Sequence, residues 1–220
     1  MTLNSAQQNY LKVIYRLTRD GERASTTQLA ALLDVQAASV TNMLQKLAAT
    51  SPPLVAYRKH RGATLTPAGQ QAALAAIRQH RLIETFLYEK LDYPWEDLHA
   101  EAAQLEQAVT TQVSERMAVL LDQPETTPHG QPIPAADLTL TAPATRPLTT
   151  LVPGETAVIA HCRDEDPTLL RFLANHNLRP GTAVTLHQHT PDGNLVLAPP
   201  DGEMPVEIRP SMAAQIFITT

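Results

Sequence analysis

The chain has 220 residues, a formal net charge of −5 and a single cysteine, Cys162. That length allows one large domain or two to three small ones, and one cysteine excludes an intramolecular disulfide and any CxxC zinc module. No apolar run approaches the ~20 residues of a membrane span and Met1 to Asn9 does not read as a signal peptide, so a soluble, cytoplasmic protein with no membrane partner is expected.

Tyr10, Val13, Ile14 and Leu17 form an amphipathic stripe that predicts a helix over about 5–19. Ser25-Thr26-Thr27-Gln28 reads as a capping box opening a second helix, Thr26 to Leu33. After the short break Asp34-Val35-Gln36, a third helix runs from Ala37 to Ala49 with Val40, Met43, Leu44 and Leu47 inward. Two short helices joined by such a turn are the helix-turn-helix pattern. Ser51-Pro52-Pro53 stops the third helix. Leu54 to Tyr57 and Ala63 to Thr66 read as strands around a basic hairpin tip, Arg58-Lys59-His60-Arg61-Gly62, which makes a wing. Thr66-Pro67 caps a long helix over about 67–90, and another is expected from Trp95 to Leu121. Recurring prolines from Pro124 to Leu148 predict an extended tether. Beyond it, β-rich runs (Thr156 to Ala160, Ala183 to Gln188, Leu195 to Leu197, Pro205 to Ile208, Ala214 to Ile218) alternate with turns such as Pro191-Asp192-Gly193-Asn194 and Pro200-Asp201-Gly202. One helix, Pro167 to Asn175, interrupts them, and the whole predicts a small β-barrel. The expected architecture is α+β and multidomain: a winged helix-turn-helix over 1–73, a helical domain over 74–141, a linker over 142–150 and a β-barrel over 151–220.

Two sets of residues carry chemistry. A recognition helix needs small or polar residues on its exposed N-terminal turns, and Gln36, Ala37, Ala38, Ser39, Thr41, Asn42 and Gln45 meet that need. Gln36 and Asn42 can pair with adenine and Ala38 can touch a thymine methyl. Thr27, Ser39, Thr41 and Lys46 suit phosphate, and Arg58, Lys59 and Arg61 of the wing suit the backbone or the minor groove. Residues 1–73 hold eight Lys and Arg against three acids, a net of +5, which leaves −10 for the rest. A basic head on an acidic body is the footprint of a DNA-binding domain joined to something else. The second set begins with His80 and Glu84, four apart, and His99 and Glu106, seven apart in the next expected helix. Residues so spaced share a helix face, so two helices can aim two imidazoles and two carboxylates at one point. His129, in the proline-rich stretch, can close over it. Nitrogen and oxygen donors without sulfur suit Mn²⁺, with Fe²⁺ second.

The sequence resembles the metal-dependent repressors of the diphtheria toxin repressor family, the iron- and manganese-sensing regulators. The matching stretches are Asn9-Tyr10-Leu11, Ser39-Val40-Thr41, Leu65-Thr66-Pro67-Ala68-Gly69, His80-Arg81-Leu82-Ile83-Glu84, His99-Ala100-Glu101 and Pro128-His129-Gly130-Gln131-Pro132-Ile133-Pro134. In the last segment they are Asp164-Glu165-Asp166-Pro167 and Leu178-Arg179-Pro180-Gly181. The resemblance implies a winged helix, a helical dimerisation domain and an SH3-like domain. It also implies an ancillary metal position built from His80, Glu84, His99 and Asp166, with His129 matching a ligand of the manganese-sensing branch. A primary position falls on Asn9, Ala103, Glu106 and Gln107, of which only Glu106 is a strong ligand. Arg81, with Thr127 and Gln131, matches an anion-holding cluster of some relatives. Cys162 reads as barrel packing.

The resulting expectation is a homodimeric, metal-dependent DNA-binding regulator, a repressor of metal-homeostasis genes on a pseudo-palindromic operator. It is not an enzyme and takes no small organic substrate. Leu82, Ile83 and Phe86 are expected at the dimer interface. One alternative is a winged-helix regulator whose DNA binding does not depend on metal. Another is a metal-dependent hydrolase using His80, Glu84 and His99, but no separate general base accompanies them.

Overall fold

The computed structural model describes residues 3–19, 21–198 and 204–219. The chain divides into two compact units, each built from several stretches. The first comprises Met1–His80, Glu106–Thr111 and Pro134–Leu140, and the second comprises Arg81–Leu105, Gln112–Ile133 and Thr141–Thr220.

In the first unit α1 (Ser5–Thr18), α2 (Thr26–Leu33) and α3 (Ala37–Ala48) precede the hairpin β1 (Val55–Arg58) and β2 (Gly62–Leu65). Capping boxes open α1 at Asn4 with Gln7 and α2 at Ser25 with Gln28. Each satisfies amide groups that a helix N-terminus leaves without partners. Asp34 ends α2 in the left-handed conformation, φ 50°, which short acidic side chains tolerate. Leu11, Ile14, Leu29, Val40, Leu44 and Leu47 are fully buried and pack into one core with Val55 and Ala63 of the hairpin. Each such leucine contributes ~1.5–3 kcal/mol relative to an exposed one.

The long helix α4 (Pro67–Leu91) follows. The single helix expected from Trp95 to Leu121 is instead three pieces: a 3-10 turn (Trp95–Asp97), α5 (Leu98–Leu105) and α6 (Thr111–Leu120). At the break, the Gln79 side-chain amide donates to the carbonyls of Glu106, at 3.3 Å, and Val109, at 2.6 Å. Those carbonyls thus find a partner that a continuous helix would have supplied itself. Leu82 and Ile83 are fully buried within their own chain, Leu82 against Ala118 and Ile133. Their expected place at a subunit interface is therefore wrong and they are core, whereas Phe86, expected there with them, is half-buried.

The proline-rich stretch is ordered by a bridge between Thr126 and Pro132 and buries His129 and Ile133. The C-terminal part is a six-stranded antiparallel sheet in the order β3-β8-β4-β5-β6-β7. Its strands are β3 (Arg146–Pro147), β4 (Thr156–Cys162), β5 (Ala183–His189), β6 (Leu195–Ala198), β7 (Val206–Ile208) and β8 (Ile216–Thr219). The sheet therefore begins inside the stretch assigned to the linker. Register shifts between Ile159 and His161 and between Leu186 and Gln188 bend it. α7 (Pro167–Asn175) buries Leu169, Leu170 and Leu173, and a short α8 (Pro210–Ala213) precedes β8. The turn expected at Pro200-Asp201-Gly202 lies outside the described residues. No described helix is long and apolar enough to cross a membrane.

Candidate metal centre and candidate nucleic-acid interface

Because α3 buries Val40, Leu44 and Leu47, its opposite face is presented outward. Ala37, Ala38, Ser39, Asn42, Gln45 and Lys46 are exposed, as are Gln36 before them and Thr27 in the first turn of α2. Gln36 occupies the N-cap position but its side chain makes no capping bond. Thr41 is half-buried and its hydroxyl donates to the Ala37 carbonyl at 3.1 Å, which leaves that oxygen as an acceptor only. Arg58, Lys59 and Arg61 are exposed at the hairpin tip. The tip is held from beneath. Arg23 donates to the carbonyls of Arg61 at 2.8 Å, Ala56 at 3.0 Å and Gly62 at 3.1 Å. Gly62 lies at φ +76°, and a side chain there would come within 2.5 Å of the Ala24 carbonyl oxygen. Arg23 thus braces the wing, a role the sequence conceals because a lone arginine before a helix looks like any surface cation.

The four residues of the expected two-helix site divide between the two units, His80 and Glu106 in the first and Glu84 and His99 in the second. In the first unit Glu106, just past the end of α5, is buried and accepts from Lys12 Nζ at 3.1 Å to each carboxylate oxygen and from His80 Nδ1 at 2.8 Å. Burial alone would raise its pKa. The His80 hydrogen bond and the Lys12 charge outweigh that and hold the carboxyl below its ordinary value. Its negative charge is therefore already matched by an ammonium group. Asn9 is exposed, and a cavity of about 520 Å³ beside Glu106 has no other acid among its lining residues.

In the second unit, one ligand atom each from Glu84, His129 and Asp164 lie within 4.8 Å of one another, and all three residues are buried. Glu84 is fully inaccessible on α4. His99 of α5 directs Nδ1 to Glu84 Oε1 at 3.2 Å and to Asp164 Oδ1 at 3.7 Å. Its side chain is 32% exposed, so this edge of the group reaches solvent. His129 Nε2 lies 2.9 Å from the Trp95 carbonyl. A carbonyl only accepts, so Nε2 carries the proton. Nδ1, buried and without a hydrogen-bond partner, presents its lone pair. Burial, and then the charge of Glu84, push the Asp164 carboxyl above the usual range, while His99 opposes them. Two buried carboxylates and a bare imidazole nitrogen form a donor set that fits a divalent cation.

Asp164, in the turn between β4 and α7, and not Asp166, lies with Glu84 and His129. Asp166 is the N-cap of α7, accepting from the amides of Thr168 at 2.9 Å and Leu169 at 3.3 Å. The Asp166-Pro167 pair is itself an N-cap signature, and it could have redirected the choice among the three acids. Arg81 donates to the Pro132 carbonyl and the Gln131 side chain, so it braces the 131–132 loop. Cys162 is buried, and burial followed by the Asp164 charge pushes its thiol well up; it is not among the grouped donors.

Three family descriptions cover the chain in order. They are "Iron dependent repressor, N-terminal DNA binding domain" over residues 2–63, "Iron dependent repressor, metal binding and dimerisation domain" over 66–135, and "FeoA domain" over 146–220. The iron-dependent repressor IdeR of Mycobacterium leprae is 30% identical over 207 residues, 88% of each chain. IdeR of Mycobacterium bovis is 34% identical over 125 residues, 57% of this chain and 54% of that one. Among solved structures, a manganese-dependent transcriptional repressor in complex with manganese is 33% identical with a TM-score of 0.87, covering 97% of this chain and 99% of that one.

Proposed function

Because the chain belongs to the family of iron-dependent repressors, metal-responsive regulators of transcription, we propose that it is a homodimeric repressor whose grip on operator DNA is switched on by Mn²⁺, with Fe²⁺ second. The observation that carries the reading is the buried Glu84–Asp164 pair beside the bare Nδ1 of His129. Like charges in a low-dielectric interior repel, and a divalent ion turns that repulsion into binding energy. Glu84, His99, His129 and Asp164 are the proposed ligands. His80 joins them from the preceding turn of α4, since residues four apart share a helix face. An all-nitrogen-and-oxygen set of this size suits Mn²⁺ better than a tetrahedral ion. Glu106 is proposed not as a ligand but as the acceptor that orients His80 from behind, a usual arrangement for metal-binding histidines. With Lys12 already on Glu106, no second ion is proposed there.

DNA contact is assigned to Gln36, Ala38 and Asn42 on base edges and to Thr27, Ser39, Thr41, Lys46, Arg58, Lys59 and Arg61 on the backbone. The two recognition helices of a C2 dimer then lie about one helical turn apart, ~34 Å, on a pseudo-palindrome. The metal favours one arrangement of the dimer, and DNA affinity rises by the same factor that DNA raises metal affinity.

The test is a DNA-binding titration of chelator-stripped protein with Mn²⁺, Fe²⁺ and Zn²⁺ in turn. Mn²⁺ should tighten binding at least tenfold, with Fe²⁺ next. Equal affinity with and without every metal would refute the reading.

A further inference from the structure

Trp95 is the sole tryptophan of the chain and is almost wholly buried, at 3% exposure. Its contacts converge from two directions. Its main-chain carbonyl takes the Nε2 proton of His129, and its ring lies 4.8 Å, centroid to centroid, from the His129 imidazole. Its indole Nε1 donates to the Pro128 carbonyl at 3.1 Å. From the C-terminal domain, the Arg179 guanidinium sits 5.1 Å over the indole and donates to the Tyr88 hydroxyl at 3.1 Å. All of these groups belong to the second unit.

We propose that Trp95 and Arg179 are positioning residues for the metal centre, forming a clasp around His129. A neutral imidazole offers one lone pair, and the nitrogen that offers it is fixed by where the other nitrogen donates. The Trp95 carbonyl fixes Nδ1 of His129 as the ligating atom. The indole, bonded to the residue just before His129, sets the ring's position as well as its tautomer. Arg179 then holds the indole, because a guanidinium over a tryptophan face is attracted to the ring, more so when desolvated.

The clasp has a second consequence. Asp164 and Arg179 both belong to the C-terminal domain, which is tied to the same loop by further bonds. The Cys162 amide donates to the His129 carbonyl at 3.1 Å, and Gln131 Nε2 donates to the Cys162 carbonyl at 3.2 Å. Gly130 passes so close to β4 that a side chain there would meet the Ala160 carbonyl at 2.0 Å. Together these contacts hold Asp164 of the C-terminal domain beside Glu84 and His129.

The inference rests on the metal reading above, and the experiment separates the two. Trp95 fluorescence of the full-length protein is recorded without metal, and Mn²⁺ affinity is then measured by calorimetry. The variants are Arg179→Ala, Arg179→Lys and Glu84→Gln. Arg179→Ala should shift metal-free Trp95 emission to longer wavelength, as the indole loses its cover, and weaken Mn²⁺ about 10–100-fold, the usual cost of losing a group that orients a ligand. Arg179→Lys keeps a cation over the ring and should recover part of both. Glu84→Gln should abolish Mn²⁺ binding and leave metal-free emission unchanged. If Arg179→Ala alters neither the metal-free emission nor the Mn²⁺ affinity, or alters the emission alone, the clasp does not position the site. If Glu84→Gln binds Mn²⁺ as the unmodified chain does, the metal reading itself fails, whatever Arg179 does.

Discussion

Asp166 accepts hydrogen bonds from the amides of Thr168 and Leu169, whereas Asp164, two residues earlier, stands with Glu84 and His129. The two acids should separate cleanly under mutation. Asp164→Asn removes a charge from the proposed ligand set, so calorimetry should find Mn²⁺ binding weaker by about tenfold or more, ~1.4 kcal/mol. Asp166→Ala removes an N-cap and should cost about 1 kcal/mol of thermal stability with Mn²⁺ affinity unchanged. The reverse pattern would return Asp166 to the site. Glu106 shows the same lesson. Its type and spacing made it a candidate ligand, but Lys12 and His80 occupy its oxygens. Nothing in local sequence pairs Lys12 with a residue 94 positions away.

At the scale of elements, α3 and the wing carry different parts of DNA recognition. Arg58→Ala with Arg61→Ala should weaken binding to all sequences and flatten its salt dependence, because phosphate contacts act through counterion release. Gln36→Ala or Asn42→Ala should instead relax sequence preference by ~1–3 kcal/mol per lost base contact. Fluorescence anisotropy across salt and operator variants reads both, and unchanged binding in both sets would remove DNA from these elements. α6 carries a different message. Ser114, Ala118 and Leu121 face the interior, while Val113, Met117 and Leu120, spaced by four and three, form a second apolar stripe. Val113 is 45% and Leu120 64% exposed. A helix apolar on two faces has two partners.

That stripe sets the prediction for the whole molecule. With Leu82 and Ile83 inside the chain, the α6 stripe is the proposed dimer face. Leu120→Glu should give a monomer on sizing with light scattering and lose operator binding, since one half-site alone binds weakly. Persistent dimers would place the interface elsewhere.

What the sequence by itself determined is what local physics controls. The capping boxes at Ser25 and the Thr66-Pro67 helix start follow from neighbours a few residues apart, as do the inward stripe of α3 and the basic hairpin tip. So does the nitrogen-and-oxygen character of the donor set. Tertiary structure decided which donors meet. Helical periodicity carried from Trp95 to Leu121 put His99 and Glu106 on one face, but the chain breaks after Leu105, where Gln79 bonds the freed carbonyls. Asp164 reaches Glu84 and His129 only because β4 and the Gly130 loop lie against each other. Spacing along a chain predicts a shared face only while the element is unbroken, and every ligand drawn from a second element is placed by packing between residues far apart in sequence.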